Sequence, residues 1–332
     1  MMKKKVIFSY DYELFFGTDS GTVDGSLIIP TTKILNHLES NGFNGTFFVD
    51  WLMIKYLQKE KTERTISDYD KIITQIKDII SRGHRIELHI HPHWVDAKYI
   101  GEGKWDFSNF HHYSLWSFPE SEIVKMFVEG KQLLESIARD VDPQYEICAF
   151  RAGGWAVQPF DKLKKAFVEA GIKVDSSVAY DAYYKCDFSY YDFRYNKLKD
   201  VDLYKFEDDV LNMCEAGSFI EIPITTYKRS LFHKIADRLY RVITGKSNPI
   251  TDGTHSRPDL PPLNEYQSNN ALITISKRSP LTVFLGVWNA KNDLVTLIDH
   301  PKDYSPSNEE SFYLLSKIAT STTYFEQINN II

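Results

Sequence analysis

Strand-like and helix-like runs alternate along roughly the first 180 residues of the chain. Short apolar runs rich in β-branched and aromatic residues are each followed by a stretch in which apolar residues return every three or four positions. This alternation predicts right-handed crossovers and a parallel sheet, either open or closed into a barrel. The predicted strands are KKKVIFSYDYE, GFNGTFFVDW, HRIELHIH, YEICAFRAGG and IKVDSSV, and the predicted helices are 31–40, 67–81, PESEIVKMFVEGKQLLESIA and FDKLKKAFVEAG.

Two of the predicted helices have identifiable ends. The helix over 67–81 would be capped by Ser67 or Asp68 and would stop at Gly83. A C-terminal helix, SNEESFYLLSKIATSTTYFEQI, would begin at a Ser307 cap.

The regular alternation ends near residue 183. The stretch from about 183 to 280 is polar-aromatic and proline-rich, and we predict that it is an insertion in a single barrel domain spanning 1–332. Strand character returns in SFIEIPITTY and LVTLIDHPKDYS. Within RSLFHKIADRLYRVIT, core packing is the favoured interpretation of an apolar stripe and contact with a membrane surface is the second. That stripe consists of Leu231, Ile235, Leu239 and Val242.

The composition is typical of a soluble globular protein, with 43% hydrophobic and 25% charged residues. A net charge of −6 without a basic stripe argues against a nucleic-acid partner, whereas 21 Phe, 20 Tyr and 6 Trp permit stacking on sugars. Cys148, Cys186 and Cys214 suit neither a disulfide framework nor a CxxC zinc site, so reduced thiols are expected. Because no apolar run suits a signal peptide or a membrane span, we predict a cytoplasmic protein.

Ionisable side chains follow five predicted strands at the point where each strand ends. The carboxyl ends of parallel strands meet at one edge, where functional side chains gather. One polar strand end is usually only solvated, but five together indicate a site. The residues concerned are Asp11, Glu13, His89, His91, His93, Arg151, Asp175, Asp299 and His300.

The segment GHRIELHIHPHW places three histidines on alternate positions. His89 and His93 would point the same way in either a helical turn or an extended run, but Pro92 disfavours a regular helix. In an extended run His91 would face the same side, which makes a three-histidine site the alternative. Two imidazoles completed by one carboxylate are a common catalytic zinc arrangement.

Five motifs resemble those of the polysaccharide deacetylases, carbohydrate esterase family four. FSYDYE resembles the first motif, GHRIELHIHPH the second, FRAGGW the arginine motif, VDSS the aspartate motif and TLIDHP the closing leucine–histidine motif. They follow the family order and cover roughly residues 4–177 and 292–302. The resemblance implies an α/β fold that is a distorted (β/α) barrel of about seven strands.

The resemblance also implies a divalent metal, expected to be zinc, bound by His89 and His93. The family has two adjacent aspartates in its first motif, a base and then a metal ligand, but Tyr12 stands in the second place here. Glu13 lies two residues from Asp11, so on a strand both carboxylates point the same way. We therefore predict Glu13 as the metal ligand and Asp11 as the base, with exchanged roles as the alternative.

The remaining catalytic roles follow from the same resemblance. Arg151 would pair with Asp11 and keep that carboxylate ionised. His300 would act as the general acid that protonates the departing amine, and Asp175 would orient its imidazole. Together these residues imply hydrolysis of an amide bond.

The favoured function is therefore metal-dependent removal of an N-acetyl or similar acyl group from a sugar or polysaccharide precursor, for example one that is nucleotide-linked or lipid-linked. One alternative is a metal-independent cyclic amide or ureide hydrolase on the same barrel, which Tyr12 and Ile90 permit. Another is a catalytically inactive carbohydrate-binding relative, against which the complete set of Asp11, Arg151 and His300 weighs. The sequence does not determine the sugar or the oligomeric state.

Overall fold

A computed structural model describes residues 3–255 and 270–329. The strands are β1 Lys4–Tyr12, β2 Gly45–Asp50, β3 Arg85–Ile90, β4 Lys98–Gly101, β5 Lys104–Asp106, β6 Ala149–Ala152, β7 Val174–Asp175, β8 Tyr183–Cys186, β9 Ser189–Asp192, β10 Tyr204–Phe206, β11 Phe219–Glu221, β12 Thr226–Tyr227, β13 Ala271–Leu272, β14 Leu294–Asp299 and β15 Ala319–Ser321. The helices are α1 Ile29–Ser40, α2 Trp51–Glu60, α3 Glu63–Ser81, α4 Glu120–Arg139, α5 Asp161–Ala170, α6 Leu231–Thr244, α7 Pro280–Asn289, α8 Ser307–Leu315 and α9 Tyr324–Asn329.

The main sheet has the strand order β10-β11-β7-β6-β3-β2-β1-β14, and β15 pairs with β1 beside this path. All neighbours are parallel except β10 and β11. The sheet curls so that its two ends approach each other. One hydrogen bond shows this: the backbone N–H of Thr225, just beyond β11, donates to the carbonyl of Thr296 in β14 at 3.0 Å. The predicted α/β fold, a distorted barrel with about seven parallel strands, is confirmed.

Alternation along β1 sorts its side chains between the two faces of the sheet. Val6, Phe8 and Tyr10 belong to the large core that also contains residues of the surrounding helices. Ile7 lies on the opposite face in a smaller inner cluster, and the next positions on that face are Ser9 and Asp11. The inner cluster also contains Phe48, Ala149, Val174, Ile220, Ile222 and Leu294, together with Tyr324 and Ile328 of α9.

Several helix boundaries differ from the predicted ones. α3 begins at Glu63 rather than near Ser67, because the hydroxyl of Thr62 accepts a hydrogen bond from the backbone N–H of Thr65 and caps the helix earlier. α2 was not predicted. The predicted C-terminal helix is divided into α8 and α9, because the intervening β15 pairs with the start of β1.

The predicted insertion contains the small antiparallel pairs β8–β9 and β12–β13, the antiparallel strands β10 and β11 at one end of the main sheet, and helix α6. Its residues 256–269 lie outside the described residues. Core packing of the α6 stripe was the wrong prediction, because Leu231, Ile235, Leu239 and Val242 are all exposed. None of the helices in the described residues has the length and hydropathy needed to cross a membrane.

Candidate metal centre

The inner faces of β1 and β3 bring two carboxylates and two imidazoles to one place at the carboxyl end of the sheet. Asp11 and Glu13 come from β1 and the residue following it, while His89 and His91 come from β3 and the residue following it. All four residues are buried. One potential ligand atom from each of Glu13, His89 and His91 lies within 4.8 Å of the other two, so this buried group could bind a metal.

Both imidazoles of this group face the same carboxylate oxygen. Glu13 Oε2 is 2.6 Å from His91 Nε2 and 3.0 Å from His89 Nε2. His89 Nδ1 is 2.7 Å from the carbonyl of Arg151, and because a carbonyl only accepts, Nδ1 must carry a proton. A neutral His89 would then present the lone pair of Nε2 to a carboxylate, so a proton or a cation is required between them. This donor set and the fixed tautomer fit a divalent metal.

The electrostatic environment keeps most of these groups in the forms that ligate metals. Burial would raise the pKa of Glu13, but His91, Lys302 and hydrogen bonds from both imidazoles hold it well below its usual range. Burial lowers the pKa of His91 to about 4. Burial would also lower the pKa of His89, but Asp11, Glu13 and Asp50 raise it to about 9. Metal binding at neutral pH would therefore displace the His89 Nε2 proton.

Glycine at position 153 allows the His91 ring to occupy this place. A Cβ atom on Gly153 would lie 2.6 Å from the carbonyl of Ile90 and 2.7 Å from His91 Nδ1. Real Cβ atoms essentially never come that close to backbone atoms. The glycine in FRAGGW is therefore needed for close packing of β6 against the histidine segment.

His93 does not belong to the Glu13–His89–His91 group, although the centre of its ring lies 5.2 Å from that of His91. It is part of a short 3-10 helix, Pro92–Asp96, which interrupts the extended geometry after His91. Its buried ring packs edge-on against Phe16 at 4.5 Å and lies 5.2 Å from the ring of Tyr113. The structure thus brings His91 to Glu13 and places the predicted ligand His93 in an aromatic enclosure.

Asp11 is held by a fully buried arginine. Arg151 donates from one terminal nitrogen to Asp11 Oδ1 at 2.6 Å and from the other to Ser9 Oγ at 2.8 Å and the Tyr324 hydroxyl at 3.0 Å. The guanidinium also lies over the ring of Phe48 at 4.2 Å. Burial would raise the pKa of Asp11, but Arg151, with His89 and His300, outweighs it and lowers the pKa. The carboxylate is therefore ionised at neutral pH.

We expect Arg151→Met to destabilise the protein by about 3–5 kcal/mol, because it leaves the Asp11 carboxylate buried without its cation. Urea unfolding followed by circular dichroism would measure the change. Lys55→Met is the control, since the Lys55–Glu129 pair is largely exposed and its loss should cost at most about 1 kcal/mol. Equal effects of the two substitutions would contradict this account of Arg151.

His300 stands where the buried cluster meets solvent. Its Nε2 is 3.6 Å from both Asp11 Oδ2 and Glu13 Oε1, and its side chain is 25% exposed. Its Nδ1 is 3.7 Å from Asp303 Oδ2. Of the groups gathered here, His300 is therefore well placed to meet a molecule that arrives from solution.

Asp175 has other partners than the one predicted from the sequence. Val174 belongs to the inner cluster and Ser176 bonds Arg151, so Asp175, between them, points to the opposite face of β7. There it accepts hydrogen bonds from the backbone N–H and the hydroxyl of Ser177. Asp303 rather than Asp175 thus occupies the place beside His300 Nδ1.

Two further residues of the site were not predicted. Lys302 is buried and donates to Glu13 Oε1 at 2.6 Å and to the carbonyl of Leu14 at 2.8 Å. Asp50, at the end of β2, accepts from the Trp94 indole at 2.7 Å and from the His91 backbone at 3.2 Å. Burial raises the pKa of Asp50 to about 7. Asp50 is the last residue of β2 and Lys302 lies three residues after β14, and this position at the carboxyl end of a strand is the signal that could have identified them.

Fold and site together define a (β/α)-barrel protein with a buried carboxylate–imidazole cluster at the carboxyl end of its strands. The solved structure of a protein from Mycobacterium smegmatis assigned as a polysaccharide deacetylase matches it with a TM-score of 0.51 and 16% identity, over 99% of this chain and 90% of that one. This match shows the fold alone, and the chain has the fold of the polysaccharide deacetylases, as the five motifs predicted.

Two other solved structures are less similar. A GH57-type branching enzyme from Pyrococcus horikoshii has a TM-score of 0.49 and 9% identity, over 100% of this chain and 71% of the other. A family 4 carbohydrate esterase from Streptomyces lividans in complex with acetate has a TM-score of 0.41 and 9% identity, over 97% and 94%. No protein-family model and no curated protein matches the sequence.

Proposed function

We propose that this protein is a metal-dependent hydrolase that removes an N-acetyl or similar acyl group from a sugar. One observation carries the proposal: the Glu13–His89–His91 group, an arginine-held carboxylate and a partly exposed imidazole converge at one strand edge. Asp11 Oδ2 is 4.0 Å from His89 Nε2 and 3.6 Å from His300 Nε2. A candidate proton acceptor and a candidate proton donor thus lie beside the proposed metal ligands.

Each residue has a role in cleaving an amide. A divalent metal, expected to be zinc, held by Glu13, His89 and His91 would polarise the acyl carbonyl and favour ionisation of the attacking water. Asp11, kept ionised by Arg151, would accept the proton of that water. As the C–N bond breaks, His300 would protonate the departing amine, with Asp303 orienting the imidazole. The products are a carboxylate and an amino sugar.

The substrate we propose is an acetylated amino sugar carried on a nucleotide or a lipid, that is, a precursor for polysaccharide biosynthesis. The similarity to the fold of the Mycobacterium smegmatis protein assigned as a polysaccharide deacetylase supports a carbohydrate substrate. We further propose that one domain, with residues of about 183–280 inserted, builds the whole site and works in the cytoplasm.

We expect zinc-loaded protein to release acetate from at least one N-acetylated amino sugar, and removal of zinc by a chelator to abolish that release. Proton NMR of a panel of free, nucleotide-linked and lipid-linked N-acetyl sugars would follow the acetate methyl signal. Readdition of zinc, but not of magnesium, should restore activity, because imidazole ligands favour zinc. Binding of the sugars without acetate release under any metal would contradict the proposal and support a carbohydrate-binding protein.

A second candidate is a metal-independent amide or ureide hydrolase, and the position of Lys302 favours it. A buried ammonium 2.6 Å from Glu13 already places a positive charge at the ligand carboxylate. The chelator experiment distinguishes the candidates. Full turnover of a cyclic amide by protein shown to be free of metal would select the second one.

A further inference from the structure

Helix α6 presents an apolar face to solvent. Six large side chains, Leu231, Phe232, Ile235, Leu239, Val242 and Ile243, are each 48–77% exposed. At 3.6 residues per turn all six fall within an arc of about 120° around the helix axis. Asp237, the one buried residue of α6, lies on the opposite side and accepts from the backbone N–H of Ser279 ahead of α7. The helix is thus attached by its polar side and its apolar side faces outward.

A row of cations borders this face. Lys234, Arg238 and Arg241 occupy the adjoining arc of about 60°, are exposed, and make no ion pair with any described residue. The one acidic residue of α6, Asp237, is already paired with Arg229 and Arg278. The chain as a whole has a net charge of −6, so this local excess of positive charge is opposite in sign to the rest of the protein.

The dimensions of α6 suit a helix that lies on a membrane rather than across it. Its 14 residues span about 21 Å, which is shorter than the hydrocarbon core. A wide apolar face, low overall hydrophobicity and a basic flank are the features of interfacial helices. Leu281 of α7 extends the apolar surface, and a groove of about 490 Å³ lies between it and Phe232, Ile235 and Leu239.

We propose that α6 docks on an anionic lipid surface, with its apolar face in the interfacial layer and Lys234, Arg238 and Arg241 against the headgroups. Charge complementarity selects this partner over a second copy of the chain. In a twofold dimer the same patch meets itself, so the two cationic rows would share one interface, and Glu310, the acidic residue that lines the groove, is already paired with Lys246. An anionic bilayer supplies both an apolar layer and the compensating charge.

Docking through α6 would also bring the metal-ligand cluster near the lipid. The segment after α6 reaches the rim of the cluster, where the Thr251 hydroxyl donates to the carbonyl of Lys302 at 2.7 Å and His255 lies against Phe15. Lipid-linked sugars then become the favoured substrates. The preference for lipid-linked sugars rests on both the docking and the proposed function, whereas the docking does not depend on the proposed function.

Vesicle sedimentation with the full-length protein tests the docking without any substrate. Vesicles of phosphatidylcholine with about 30 mol% phosphatidylglycerol should bind the protein at least about tenfold more tightly than pure phosphatidylcholine vesicles. Raising NaCl from about 0.1 to 0.5 M should weaken that binding, because the headgroup contribution is screened. Failure of the protein to sediment with anionic vesicles would overturn the proposal and would leave the hydrolase proposal untouched.

Matched variants locate the contact on α6. Leu239→Glu with Val242→Glu, and separately Arg238→Glu with Arg241→Glu, should each reduce vesicle binding by about tenfold or more, and because these side chains are exposed both variants should fold normally. Val168→Glu on α5, which also replaces an exposed apolar residue, should bind like the unaltered protein. Equal binding by all variants would overturn the proposal. A third result would also overturn it: the protein does not bind vesicles, is a dimer in solution, and becomes a monomer when Leu239 is replaced by Glu. The apolar face of α6 would then be a subunit contact.

Discussion

Replacing His89 by Ala or Glu13 by Gln is expected to abolish stoichiometric metal binding. The unaltered protein should take up about one zinc ion per chain, and each variant should lose more than about 100-fold in affinity, because a three-ligand site loses a direct ligand. Metal analysis after dialysis and zinc titration followed by calorimetry would measure both quantities. These measurements need no substrate, so they test the site even if the acyl group and the sugar are unknown.

The neighbouring histidines provide controls for this experiment. His91→Ala should also lose the metal, whereas His93→Phe, which preserves an aromatic ring among Phe16 and Tyr113, should keep it. His111→Ala, in an exposed loop, should bind zinc normally. Loss of zinc in His93→Phe and retention in His91→Ala would restore the ligand pair that the sequence predicted and refute the one that the structure favours.

Replacing Asp11 by Asn is expected to lower turnover by about 10²–10⁴-fold while zinc remains bound. The amide keeps the shape of the carboxylate and an oxygen that accepts from Arg151, but it has no basic group to accept the proton of the attacking water. Turnover on the substrate identified by the acetate assay, measured beside metal content and thermal stability, would separate a catalytic effect from a folding defect.

Glu129→Gln serves as the matched carboxylate control. Glu129 on α4 is partly exposed and pairs with Lys55, so its amide variant should retain full turnover. If Asp11→Asn keeps more than about a tenth of the turnover, Asp11 is not the base. If Asp11→Asn instead loses the metal, the roles of Asp11 and Glu13 are exchanged.

The parallel α/β barrel could be predicted because its strands and helices carry different apolar periods. Buried strands with near-continuous apolar runs and helices with stripes specify these elements locally, and right-handed crossovers then order them. α2 was missed because only one polar residue, Asp50, separates the apolar run of the strand from WLMIKYLQKE, and no Gly or Pro marks the boundary. Apolar content without a boundary does not distinguish the end of a strand from the start of a helix.

The ends of the predicted strands indicated which segments contribute to the site, but not always which of two neighbouring residues faces it. The period of two along β1 correctly placed Asp11 and Glu13 together on the inner face. The same period of two predicted that His93 would face the same side as His89. The structure differs because the backbone leaves extended geometry at Pro92. It also did not place Asp175, because neighbouring positions on a strand face opposite sides and the sequence does not show which of Asp175 and Ser176 faces inward.

By itself the sequence determined the fold class, the strand edge that bears the site and the side chains that gather there, because these depend on local periodicity and on strand polarity. Only the tertiary structure decided which partners meet: His91 with Glu13, Asp303 with His300, and Lys302 with the ligand carboxylate. It also decided that the apolar stripe of α6 faces solvent, since periodicity identifies an apolar face but not what covers it. Contacts between residues far apart in the chain depend on how the barrel curls and where its loops return, and no local pattern encodes that geometry.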